Sequence, residues 1–146
     1  MRAVRKLELV AAAMLTVTAL SAGWARAEEP ARGLALELNR TAATDGGCLL
    51  TFVALNRSAE ALDKAAYEFV LFNSDGLVDQ MTVFDFGSLP AGKTVVRQFQ
   101  LAGLACEAIG SILVNGAAGC GGASAAPPAC TVSLETASRT AVPFMQ

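Results

Sequence analysis

The chain has 146 residues, 11 Lys and Arg against 13 Asp and Glu, a formal charge of −2 and no histidine. With no basic cluster beyond the first six residues, nucleic acid and anionic membrane surfaces are poor partners. The lack of histidine removes the commonest general base, along with every Ser-His and Cys-His nucleophile arrangement.

The first 27 residues have the three parts of a secretory signal peptide. Arg2, Arg5 and Lys6 supply a positive start, Leu9–Leu20 is an apolar run, and Ala25-Arg26-Ala27 supplies a small-x-small cleavage site. The apolar run is too short to span a bilayer, which takes roughly 20 residues. Cleavage after Ala27 is expected to remove this N-terminal signal helix (1–27) and leave 28–146 as a single domain with no stable membrane anchor. No cysteine near the cleavage site offers a lipid attachment point. No Arg-Arg pair is present, which favours the general secretory route over the twin-arginine one. The alanine-rich leader has a bacterial character, so the expected location is periplasmic or secreted. The remaining domain carries seven basic and twelve acidic residues, a formal −5.

From there the pattern is β throughout. Leu34, Leu36 and Leu38 alternate with Ala35 and Glu37, the period of a half-buried strand. Cys48–Asn56 is the second strand, between the turn residues Thr44-Asp-Gly-Gly47 and Asn56-Arg-Ser58. The triplets at Asn39 and Asn56 match a glycan acceptor, but here they read as turn residues. Residues 58–64 are expected to form a short helical turn or a loop. Ala66–Asn73 is the third strand, and Asn73-Ser-Asp-Gly76 is the strongest hairpin signal. Leu77–Phe84 is a fourth strand of mixed character, as expected near a sheet edge. Gly87–Lys93 turns into the fifth strand, Thr94–Leu101. Ile109–Asn115 is short and almost wholly apolar, as at a sheet centre. Gly116–Ala129 reads as loop, and Thr131–Ser138 closes the series.

Seven short strands with turn signals between them predict an all-β, immunoglobulin-like antiparallel β-sandwich, with a small barrel as the alternative. The four cysteines test that order. In such a sandwich the second and sixth strands run the same way and the seventh runs against the sixth. Cys48 and Cys106 then share one end, and Cys120 and Cys130 the other. The predicted bonds are Cys48–Cys106 and Cys120–Cys130. Either alternative pairing would join ends roughly 20 Å apart, whereas a disulfide needs Cα atoms within about 7 Å. A zinc site is disfavoured by the wide spacings and the lack of histidine.

Five stretches together resemble a family of small exported alphaproteobacterial proteins with four cysteines. They are Cys48-x-Leu-Thr-Phe-x-x-x-Asn56, Tyr67-Glu-Phe-Val-Leu-Phe-Asn-Ser-Asp-Gly-Leu-Val78, Leu89-Pro-Ala-Gly-Lys93, Val96-Arg-Gln-Phe99 and Cys106-Glu-Ala-Ile-Gly-Ser-Ile-Leu-Val-Asn115. The resemblance spans most of the domain and implies export and crosslinking; it lends no catalytic residue. Ser111 stands where similar sequences often carry Arg.

Carboxylates are the remaining source of chemistry. Glu68, Asp75, Asp79 and Asp85 lie near one hairpin, but strand parity does not bring two of them into a cleft. They read as solvated faces and turn positions. Their spacing does not match a calcium loop, and Met81 and Met145 without histidine do not make a copper site. No cofactor is expected. Arg97 shares a face with Val95, Phe99 and Leu101, an apolar setting for a guanidinium. Either a bulge turns it outward or it pairs with a carboxylate, and a structural ion pair with Asp85 or Glu68 is expected rather than a ligand-binding role. The function expected is a non-enzymatic, exported protein–protein interaction or structural module, its partner an envelope protein of unknown identity. The alternative is a carrier of a small apolar ligand, and an enzyme using carboxylates alone is third.

Overall fold

The computed structural model describes residues 33–122 and 133–146. The expected signal peptide and Cys130 lie outside the described residues. The strands are β1 (Leu34–Thr44), β2 (Gly47–Asn56), β3 (Leu62–Phe72), β4 (Val78–Asp85), β5 (Thr94–Ala102), β6 (Ser111–Gly122), β7 (Leu134–Ser138) and β8 (Phe144–Met145). A single 3-10 turn, Cys106–Ala108, leads into β6. The strands form two four-stranded, mostly antiparallel sheets, β5-β2-β1-β7 and β4-β3-β6-β8, packed as a sandwich.

The strict alternation of β2 shows why the sheets close on each other. Cys48, Leu50, Phe52, Ala54 and Asn56 are buried, and the residues between them are half-exposed. Phe52 from one sheet reaches the rings of Phe69, Phe84 and Phe144 from the other, all within 6.1 Å. Phe84 stacks on Phe99 of β5 at 4.3 Å, so the inner faces of the edge strands β4 and β5 also meet. Tilted and edge-to-face rings of this kind add to the area they bury.

Asn56 is fully buried, and every polar atom of its amide is used. Its Nδ2 donates to the carbonyls of Glu60 and Leu89 at 2.8 and 2.9 Å. Its Oδ1 accepts from the amide and hydroxyl of Ser58 at 3.0 and 2.6 Å. The side chain therefore fastens the loop between β2 and β3 from inside. An amide nitrogen committed to two carbonyls is not a glycan acceptor in the folded chain.

Cys48 and Cys106 form a disulfide with Cα atoms 4.9 Å apart, as their place at one end of the sandwich predicts. Gly47 sets up that end. Its φ is +139°, and a Cβ there would lie 2.0 Å from the Leu101 carbonyl oxygen. Only glycine lets β2 meet β5 that closely before Cys48 turns inward. Cys120 is also disulfide-bonded.

Three expectations need correction. Residues 62–64 belong to β3, not to a helical turn or loop, because Leu62 and Lys64 pair with Gly122 and Gly121. For the same reason Gly116–Gly122 continues β6 where a loop is expected; small residues carry no periodicity, and β3 imposes the strand on them. An eighth strand follows the seven. β7 pairs in parallel with β1, in the sheet that does not contain β6, and β8 takes the place beside β6, also in parallel.

Candidate interaction face

The singled-out charged residues do not converge. Arg97 lies on the inner side of β5, whose register with β2 is regular, so no bulge turns it outward. Its guanidinium meets backbone rather than Asp85 or Glu68. Nε donates to the carbonyl of Phe86 at 2.8 Å, Nη2 to that of Ser88 at 3.4 Å and Nη1 to that of Val96 at 3.0 Å. The reason is local. Past the end of β4, the amide of Phe86 and the carbonyl of Gly87 are bonded to Ala65, which leaves the carbonyls of Phe86 and Ser88 for another donor. The expected ion pair is thus a clasp between the edges of the two sheets. Asp85 accepts from the amide of Gly87 at 2.8 Å, and Glu68 accepts from the Nδ2 of Asn115 at 2.5 Å.

Register defines a surface that the strand pattern alone does not reveal. Val70 pairs with Met81 on one side and with Leu113 on the other, and Leu113 pairs with Met145. These four side chains form one row across the outer face of β4-β3-β6-β8, about 14 Å long at the usual strand spacing. Met81 is 54% exposed and Met145 40%; Val83, next along β4, is 53% exposed. Phe72 and Val78 pair one step away and lengthen the patch toward the hairpin, where Leu77 is also exposed. A bulge at Leu71/Phe72 brings Val78 into that position.

β4 is also an edge. Among the described residues no strand pairs with its far side. Alternation puts Met81, Val83 and Asp85 on its outer side, and Asp79 is the extra residue of the bulge next to Val78. Thr82 and Phe84 point the other way, with Phe84 buried. Arg97 covers only the carbonyls beyond the strand's end.

On the opposite face Val96 is 55% exposed and pairs with Val53, but Glu37 follows Val53 in the same row and ends the apolar run. On β5-β2-β1-β7, Gln98 and Gln100 donate to the hydroxyls of Thr51 and Thr44 at 3.1 and 2.9 Å. Arg57 pairs with Glu135 across to β7. Glu37 accepts from Asn39 and from Arg139, both at 2.9 Å. The Asn39 hydrogen bond and the Arg139 charge hold its carboxyl below the ordinary value. Burial raises the pKa of the Tyr67 phenol far above its usual value, so it stays neutral in the core.

A shallow depression of about 380 Å³ lies beside the Cys48–Cys106 bond. Its walls are mostly glycine and alanine, with Asp45 and Glu107 as its ionisable groups. Among the described residues no group of three or more His, Cys, Asp and Glu side chains is placed to hold a metal ion. Among them, too, no helix is long and apolar enough to cross a membrane. No family model, curated protein or solved structure matches this chain.

Proposed function

We propose that this protein is an exported, non-enzymatic module of the cell envelope, periplasmic or secreted, that holds another protein against its β4-β3-β6-β8 sheet. The observation that carries the reading is the Met81–Val70–Leu113–Met145 row, exposed at its two ends, beside the edge of β4 that no strand covers among the described residues. Apolar patches that persist on a surface rimmed by polar groups mark places where another surface docks. The disulfide fits an oxidising compartment, as does the leader. We read the sandwich as immunoglobulin-like because β1, β2 and β5 share one sheet and β3 and β6 the other.

The test is positional photo-crosslinking in the native envelope fraction. A photoreactive residue at position 81 or 145 is expected to give one adduct of defined mass, and one at position 51 or 98 none. The adduct's partner, once purified, must bind the wild-type protein and bind Met81→Lys more weakly. Equal labelling from both faces, or none from either, overturns the reading. Export is tested separately: mass spectrometry of the exported protein is expected to find Glu28 as its first residue, and an intact leader would contradict it.

A further inference from the structure

We infer that the edge of β4, unpaired among the described residues, takes up an extended segment of its partner protein with the pattern cation-x-apolar-x-apolar-x-cation. This inference rests on reading the outer face as a docking surface, and it specifies the chemistry of what docks. Three observations carry it.

The first is the edge itself. An unpaired strand offers a row of N–H and C=O groups that a second chain can bond. The Arg97 clasp occupies the carbonyls of Phe86 and Ser88. The open length is therefore β4 itself, the eight residues Val78–Asp85.

The second is the order of side chains along the edge. Met81, Val83 and Asp85 are the regular outward positions, and Asp79 stands at the bulge before them, so two carboxylates flank two apolar groups. Residues directly opposite each other across a strand pair interact, with opposite charges and apolar pairs favoured. An added strand that satisfies all four positions carries Lys or Arg at its ends and apolar residues at the two outward positions between. Its apolar side chain opposite Met81 continues the row through Val70, Leu113 and Met145.

The third is the charge of the hairpin as a whole. From Leu62 to Gly92 the sequence carries Asp63, Glu68, Asp75, Asp79 and Asp85 against a single cation, Lys64 at the far end of β3. A second copy of this chain is a poor occupant for that reason. Two β4 strands paired antiparallel about Thr82 set Asp79 against Asp85 twice; paired about Met81, they set Asp79 against Val83. Neither register supplies a cation. The same carboxylates repel an anionic lipid surface or a nucleic acid.

The experiment uses the exported full-length domain and labelled seven-residue peptides, with binding read by fluorescence anisotropy. The parent is Lys-Thr-Val-Thr-Ile-Thr-Lys, and a second peptide has Glu in place of both Lys. Two more carry N-methyl groups on alternate amides, one in each register. The parent is expected to bind at least about tenfold more tightly than the Glu peptide, since two like-charge pairs become opposite-charge pairs. High salt should narrow that gap. Asp79→Asn with Asp85→Asn should remove most of it, and Asn at 85 keeps an oxygen for the Gly87 amide. One N-methylated peptide is expected to lose binding and the other to keep it. Equal binding of the Lys and Glu peptides overturns the inference, and so does equal binding of both N-methylated peptides and the parent. If no peptide binds while position 81 still crosslinks a partner, strand addition falls and the docking face stands. If position 81 crosslinks nothing, the reading beneath it falls as well.

Discussion

The two outer faces of the sandwich arise from the same alternation of inward and outward residues, yet they end in different states. On β5-β2-β1-β7 most of the polar outward side chains hold one another: Gln98 to Thr51, Gln100 to Thr44, Arg57 to Glu135, and Glu37 to Asn39 and Arg139, with Val96 as the exposed apolar residue among them. On β4-β3-β6-β8 the outward positions form an apolar row whose two ends, Met81 and Met145, stay in solvent. Exposed ion pairs and hydrogen bonds contribute little stability each, so the first face is finished without being strongly held. The second face leaves apolar area uncovered that the fold does not need to expose. A partner that covers it gains what the isolated domain lacks.

Four substitutions bear on that contrast. The largest effect is expected from Phe52→Ala, at about 4 kcal/mol. Phe52 belongs to the polar-faced sheet but packs on rings of the apolar-faced one, so both faces should loosen together. Hydrogen exchange checks this: faster exchange confined to one sheet would mean the faces do not rest on a common core.

Removing the crosslink with Cys48→Ser and Cys106→Ser should cost up to about 4 kcal/mol, from the loop entropy of a 58-residue separation. The bond ties β2 of one sheet to the turn that enters β6 of the other. Chemical denaturation is the measurement, and a loss below about 1 kcal/mol would show that the core alone fixes the sheets. A third experiment separates stability from exposure. Met81→Ser with Met145→Ser should change stability by less than about 1 kcal/mol, as expected of exposed positions, and should sharply reduce the binding of a hydrophobic dye. Dye binding that survives the change would place the apolar surface elsewhere.

The smallest effect is a dependence on pH, and it belongs to the polar face. The Glu37 carboxyl has a lowered pKa in the folded chain, so its contribution is present above the ordinary carboxylate pKa and is lost as pH falls through the lowered value. Glu37→Gln should lower the melting temperature slightly at neutral pH, and the difference from wild type should vanish in acid. A difference that grew in acid would reverse the sign and refute the assignment.

Much of the fold was legible because β2 and the first half of β1 bury every second residue and β5 alternates exposed with half-buried positions, and alternation reads directly from sequence. The hairpin at Asn73 was legible through Gly76, whose φ of +77° suits few other residues. The second half of β6 was not, since Gly and Ala look alike in a loop and in a strand. Nor was β8, two residues long after Pro143. The docking row was only half legible. Met81 and Val83 alternate with Thr82 and Phe84 in the sequence, but the side that faces the core follows from the burial of Phe84. The alignment of Val70 with Leu113 depends on bulges that shift register between β3 and β6. The fate of Arg97 turned on which carbonyls near Phe86 lack partners, which depends on backbone rather than residue type.

The parallel pairings of β7 and β8 also bear on how the chain folds. Leu34 lies beside Leu134, one hundred residues later. Contacts that distant close a large loop and form late. A chain that emerges from its N-terminal end therefore keeps one side of β1 and one side of β6 unpaired until residues 134–146 arrive. Until then it carries two extra open strands, each able to pair with a neighbouring chain. The last dozen or so residues act as a closure, and a chain stopped short of them should aggregate rather than merely lose stability.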